Sequence, residues 1–166
     1  HYGCSENKIA TRGTEIEDFT HQKWDKMNLF KVNSPKKTNL NERMDFYNER
    51  VSAVFEKLFQ TSLPSELKPT NLLHVTCTGY LSPSPAQNWV NQQEWGKLCQ
   101  VTHLYHMGCY ASIPAIRIAK ALIQEKGGST FIKHNELCTL HFSPWDSSPE
   151  QLVIQSLFSD GHIGYF

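Results

Sequence analysis

The 166-residue sequence predicts an α/β fold around a mostly parallel sheet, and three observations carry that reading. Short apolar runs alternate along the chain with stretches of helical periodicity, and strands separated by helices need crossovers that pair them in parallel. One segment, residues 113–123, is apolar on nearly every side, as expected of a helix buried between layers. No internal repeat and no interdomain linker interrupts the pattern, so residues 1–166 read as a single domain or as part of a larger one.

Taken in order, residues 1–40 are mostly polar and include the Lys- and Asn-rich stretch KVNSPKKTN; they read as a peripheral segment that adds little to the core. The α/β core is expected over residues 41–166. From Asn41 to Gln60, Met44, Tyr47, Val51, Val54, Phe55 and Leu58 recur at helical spacing, while Glu42, Arg43, Glu49, Arg50 and Lys57 fall largely elsewhere, which predicts an amphipathic helix. Pro64 and Pro69 break the chain before Leu72–Thr76, a short apolar run that reads as a buried strand. A helix is expected around residues 86–96 and a strand over 101–105. The apolar helix follows, with Ser112 as a candidate cap and Pro114 tolerated in its first turn, ending near Gly127 and Gly128. A strand over 130–133, a helix over 150–158 closed by the turn residues Ser159, Asp160 and Gly161, and a strand over 162–166 complete the pattern. Because the chain ends inside a strand, a sheet edge or a buried face is expected to be unfinished.

Composition narrows the function classes. Sixteen basic residues balance sixteen acidic ones, which argues against a broad nucleic-acid or anionic-membrane surface. No apolar stretch approaches the roughly 20 residues that span a bilayer, and the start lacks the apolar core of a signal peptide, so a soluble, cytoplasmic protein is expected. Five cysteines (Cys4, Cys77, Cys99, Cys109 and Cys138) lie at irregular spacings without C-x-x-C pairs. Neither a disulfide framework nor a zinc ribbon is indicated, and any one of them is free to act as a thiolate.

Cys109 has the most informative surroundings. It lies in YHMGCYAS, between a predicted strand and the apolar helix, on a turn helped by Gly108. A sulfur near a helix N-terminus meets unpaired N–H groups and a favourable dipole, and the same turn can offer amides to an oxyanion, as acyl transfer requires. Against this stands the plainer reading of a small buried hydrophobe. His103, His106 and Cys109 form the only tight metal-like cluster, but a strand places residues 103 and 106 on opposite faces, and no metal is expected. His74 and His134 read as hydrogen-bonded core or edge residues.

The order of HVTCTGYLSPSPAQ (74–87), HMGCYASIPAIRIAKAL (106–122), NELCTLHFS (135–143) and SLFSDGHIGYF (156–166) resembles the N-terminal half of type III polyketide synthases, the chalcone-synthase-like and alkylpyrone-synthase-like members of the thiolase superfamily. The resemblance runs from about Ile9, where IATRG is similar to an Ile-x-x-Arg element, to Phe166. It implies a thiolase-like fold, layered α-β-α-β-α, represented here by its N-terminal half with the nucleophile helix buried. Position by position, it makes Cys109 the acyl-accepting nucleophile and Phe158 an aromatic gatekeeper at the reaction cavity. It places Thr78, Cys138 and His141 on the cavity wall and Ser82 where a side chain reaches into the partner subunit of a homodimer.

The resemblance also implies a condensing acyltransferase with no resident cofactor, using acyl-CoA or acyl-carrier-protein thioesters and extending them with malonyl thioester. The histidine and asparagine that promote decarboxylation belong to a second half that the 166 residues do not include. One alternative shares the nucleophile and the turn, a β-ketoacyl synthase III-like or stand-alone ketosynthase joining carrier-bound chains; a non-enzymatic alternative is a catalytically silent thiolase-like dimerisation scaffold. A cysteine protease or transglutaminase also places a lone cysteine before a helix, but the surrounding motifs disfavour it. Iodoacetamide separates nucleophile from scaffold: preferential labelling of Cys109 is expected of the former and slow, equal labelling of all thiols of the latter.

Overall fold

The computed structural model describes residues 5, 7–34, 37–62 and 67–166; Cys4 and Pro64 lie outside the described residues. Among the described residues, five α-helices and four strands follow one another as α1 (Glu17–His21), α2 (Leu40–Ser62), β1 (Asn71–Thr76), α3 (Pro85–Gln92), β2 (Gln100–Tyr105), α4 (Ser112–Lys126), β3 (Thr130–Leu137), α5 (Pro149–Leu157) and β4 (Asp160–Tyr165). The strand order is β2-β1-β3-β4. β1 pairs in parallel with both β2 and β3, so the α/β fold with a mostly parallel sheet is what the chain adopts. Asn135 meets His162 while His134 meets Tyr165, a crossed order that makes β4 antiparallel to β3.

The described residues divide into two compact units. One comprises Asn48–Glu136 with His162–Phe166, the other the residues up to Tyr47 with Leu137–Gly161. In the first, β1 is buried along its whole length, as a central strand covered on both faces must be. Alternation along it sends Leu73 and Val75 to the α4 side, where they join Leu104, Ala111, Ala115, Ala119 and Ile132. On the opposite face His74 meets the Phe55 ring of α2 at 5.6 Å, and Phe55 meets Trp89 of α3 at the same separation. Ser84 begins α3 with a reciprocal cap: its hydroxyl accepts from Gln87 N at 3.2 Å, and its own amide donates to Gln87 Oε1 at 2.9 Å.

Helix α4 departs from expectation. Only Ala115 and Ala119 are fully buried, while Ile113, Ile116 and Ile123 are 54%, 52% and 41% exposed. Small residues let one side approach the sheet closely, and the aliphatic residues on the other side face outward. The buried-helix expectation therefore holds for one face of α4. Ser112 is its first helical residue rather than its cap, because helical geometry already runs through Ala111 from the 3-10 turn Gly108–Tyr110. Beyond the helix end, Gly128 adopts φ +80°, and a Cβ there would stand 2.5 Å from the Thr70 hydroxyl oxygen.

The second unit corrects the reading of residues 1–40. Ile16, Leu29 and Phe30 are core residues, and Asp18 is buried beside them. The Asp18 carboxylate accepts the amides of Asn28, Leu29 and Phe30 at 2.9, 2.9 and 3.0 Å, which satisfies a buried charge and folds the polar segment onto itself. Phe19, Phe30 and Phe142 meet edge to face at 5.1–5.2 Å. Asp160 is likewise more than a turn residue. It opens β4 and accepts Glu15 N at 2.7 Å, Thr139 N at 2.9 Å and Thr139 Oγ1 at 2.6 Å, tying three distant segments together.

Candidate active site

The candidate nucleophile turn begins where β2 ends. His106 and Gly108 both take left-handed backbone conformations, φ +57° and +71°, and reverse the chain before α4. Glycine adopts this region freely; for histidine it is uncommon and needs support. Cys109 lies in the middle of the Gly108–Tyr110 turn with its side chain exposed, three residues ahead of Ser112. It is thus not the small buried hydrophobe of the plainer reading. Cys99 fits that description better: it is buried, and desolvation pushes its thiol up to about 11.

The loop after β1 holds this turn. The Gly108 amide donates to Cys77 Sγ at 3.2 Å, and the Tyr80 ring stacks on His106 with centroids 4.6 Å apart and planes 16° from parallel. The Tyr80 hydroxyl donates to the Cys77 carbonyl. Beneath lies Glu136 of β3, whose carboxylate accepts Cys77 N at 2.9 and 3.1 Å and the Thr78 hydroxyl at 2.8 Å. Burial raises the Glu136 pKa, opposed by the hydrogen bonds from Thr78, Cys77 and Thr76. Glu136 was not singled out from the sequence. The available signal was an acidic residue between the strand expected over 130–133 and the apolar Leu137, which must find donors if the chain buries it.

The other expected site residues separate into two groups. Thr78 is buried and bonded to Glu136, and Ser82 is exposed in the connection between β1 and α3. Cys138, His141 and Phe158 belong to the other unit, where all three line one cavity of about 440 Å³. Cys138 and His141 open and close a 3-10 turn, and side chains three apart on such a turn share a face. Phe158 is the extended residue that ends α5 and is 43% exposed. Arg12 adds a charge to the wall, and its guanidinium donates to the carbonyls of Gln155, at 3.4 Å, and Ser156. It satisfies carbonyls left open at the end of α5.

His134 meets expectation, with Nε2 3.0 Å from the Tyr165 hydroxyl. His74 is a core residue but not a hydrogen-bonded one. Among the described residues neither ring nitrogen has a hydrogen-bond partner, and its pKa falls to about 3, chiefly through desolvation and then through the charges of His103, Lys133 and His134. Among the described residues, no three His, Cys, Asp or Glu side chains are grouped to hold a metal ion, and no helix is long and apolar enough to cross a membrane.

The chain is similar to the 1,3,6,8-tetrahydroxynaphthalene synthase of Streptomyces coelicolor A3(2), a bacterial type III polyketide synthase, with 22% identity and a TM-score of 0.66 over 80% of this chain and 40% of that one. It is similar to PKS-I of the brown alga Ectocarpus siliculosus, with 20% identity and a TM-score of 0.76 over 92% of this chain and 42% of that one. The C-terminal type III polyketide synthase domain of Steely1 from Dictyostelium shares 25% identity, with a TM-score of 0.58 over 74% of this chain and 36% of that one. The chain therefore spans about two fifths of the length of these structures. Residues 4–164 match the family described as chalcone and stilbene synthases, N-terminal domain, and the chain belongs to that family.

Proposed function

We propose that this chain is the acyl-accepting half of a type III polyketide synthase, with Cys109 as its nucleophile. The observation that carries the reading is an exposed thiol on a left-handed turn directly ahead of a 15-residue helix. The Cys109 thiolate attacks the carbonyl of an acyl-CoA or acyl-carrier-protein thioester, amides at the helix mouth receive the oxyanion, and the thiolate of the donor leaves. A new thioester has then replaced the old one, with the acyl group parked on the enzyme. In the whole enzyme, a histidine and an asparagine from the second half decarboxylate malonyl thioester, and the resulting carbanion condenses with the parked acyl group.

In the same reading, Thr78, Cys138, His141 and Phe158 shape the growing chain, and Ser82 reaches the partner subunit of a homodimer. The apolar outer face of α4, with Ile113, Ile116 and Ile123 exposed and Tyr110 exposed on the turn before it, supports an adjoining half that covers it. Residues 1–166 act together as one domain of this enzyme, a cytoplasmic protein with thioester substrates and no resident cofactor. The test is acylation. Incubation with an acyl-CoA is expected to add one acyl mass to Cys109 and none to the Cys109→Ala variant, and malonyl-CoA to yield no polyketide from the 166 residues alone. An unmodified Cys109 would favour the silent scaffold, and released polyketide would overturn the division of labour between the halves.

A further inference from the structure

We infer that Cys77 and Tyr80, anchored by Glu136, are positioning residues that set where Cys109 sits. This inference rests on Cys109 being the acyl acceptor. Two of the three residues ahead of Cys109, His106 and Gly108, are left-handed, and for His106 that backbone is strained. Strain of this kind persists only where neighbours over-determine it. Both neighbours come from the loop after β1: the Cys77 sulfur takes the Gly108 amide at 3.2 Å, and the Tyr80 ring lies flat on His106 at 4.6 Å. The loop is itself fixed, because the Tyr80 hydroxyl closes back on the Cys77 carbonyl and Glu136 takes the Cys77 amide with both carboxylate oxygens, at 2.9 and 3.1 Å.

The result is a clasp of three layers, carboxylate, loop and turn, on the peptide that presents the thiol. Here sulfur acts as a hydrogen-bond acceptor, a role that a serine hydroxyl fills and an alanine does not. Errors of about 1 Å in the placement of a reacting group cost on the order of a hundredfold in rate, so a clasp on the adjoining peptide bears directly on acyl transfer.

The experiment compares the 166-residue chain with its Cys77→Ala and Cys77→Ser variants by two readouts, hydrogen exchange at the Gly108 amide and the rate of acyl transfer from acyl-CoA to Cys109. Cys77→Ala is expected to speed Gly108 exchange about fivefold, the effect of one net hydrogen bond, and to slow acylation between about tenfold and a hundredfold. Cys77→Ser should restore most of both, with the melting midpoint close to that of the parent. A folded Cys77→Ala chain with unchanged exchange and acylation, or a Cys77→Ser chain no better than Cys77→Ala, overturns the inference. Where Cys77→Ala fails to fold, Tyr80→Ala against Tyr80→Phe makes the same comparison through the stack. If the parent itself takes no acyl group, the proposed function fails, while Gly108 exchange still decides whether the clasp holds the turn.

Discussion

The two faces of the sheet in the Asn48–Glu136 unit are built on opposite principles. Toward α4 the strands present Leu73, Val75, Leu104 and Ile132 against Ala115 and Ala119, a mainly aliphatic contact, and the polar pair beside it, His134 and Tyr165, satisfies itself at 3.0 Å. Toward α2 and α3 the in-register partners His103, His74 and Lys133 form a basic row across three strands. Ser84 meets His103 Nε2 at 2.7 Å, whereas Lys133 Nζ lies 5.7 Å from the Phe55 ring centroid and has no hydrogen-bond partner among the described residues. Desolvation lowers the Lys133 pKa to about 7. The face that carries the candidate nucleophile helix is thus energetically plain, and the face away from it bears the cost of buried charge.

The largest expected effect comes from removing that cost. Lys133→Met keeps the volume and deletes the amine, and near pH 6 it should raise unfolding stability by on the order of 3 kcal/mol, read from urea midpoints. Equal or lower stability would mean that the amine finds compensation the sheet does not display. Next in size is the aliphatic face. Ala115 is fully buried, so Ala115→Leu should lower stability by about 2 kcal/mol through overpacking against Leu73 and Val75, whereas a neutral result would show that α4 moves freely on the sheet.

A third test is a titration with its sign set by linkage. The folded pKa of Lys133 is about 7 against 10.5 ordinarily, and that of His74 is about 3 against 6.5. Between each pair of values the unfolded chain binds the additional proton, so stability rises with pH over both windows and is lost as pH falls through them. His103 and His134, lowered mainly by desolvation, act in the same sense below their ordinary value. Chemical unfolding from pH 4 to 10 should show both rises, and Lys133→Met should flatten the upper one alone. A stability that falls with pH across 7–10 in the parent would contradict the basic row.

Much of the architecture was legible in the letters. The helix expected over 41–60 is found at Leu40–Ser62, and the strands expected at 72–76 and 101–105 at Asn71–Thr76 and Gln100–Tyr105, because period and burial agree there. The strand expected over 130–133 continues to Leu137, because the polar Asn135 and Glu136 find their partners on other segments, His162 and Cys77. The N-terminal segment misled for the same reason. Its few apolar residues form core only once Asp18 has gathered three amides around itself, a contact that no local pattern announces.

Local chemistry alone determined where most of the helices and strands lie, that they alternate, and that one cysteine stands on a glycine-assisted turn ahead of an apolar helix; these follow from side-chain period and backbone freedom within a few residues. Tertiary structure decided which face of that helix is covered, that Cys138, His141 and Phe158 share a cavity, and that a glutamate 27 positions beyond Cys109 anchors the loop clasping its turn. Those outcomes depend on groups far apart in the chain meeting where water is excluded, and hydrogen-bond satisfaction there is a property of the assembled neighbourhood rather than of any one segment.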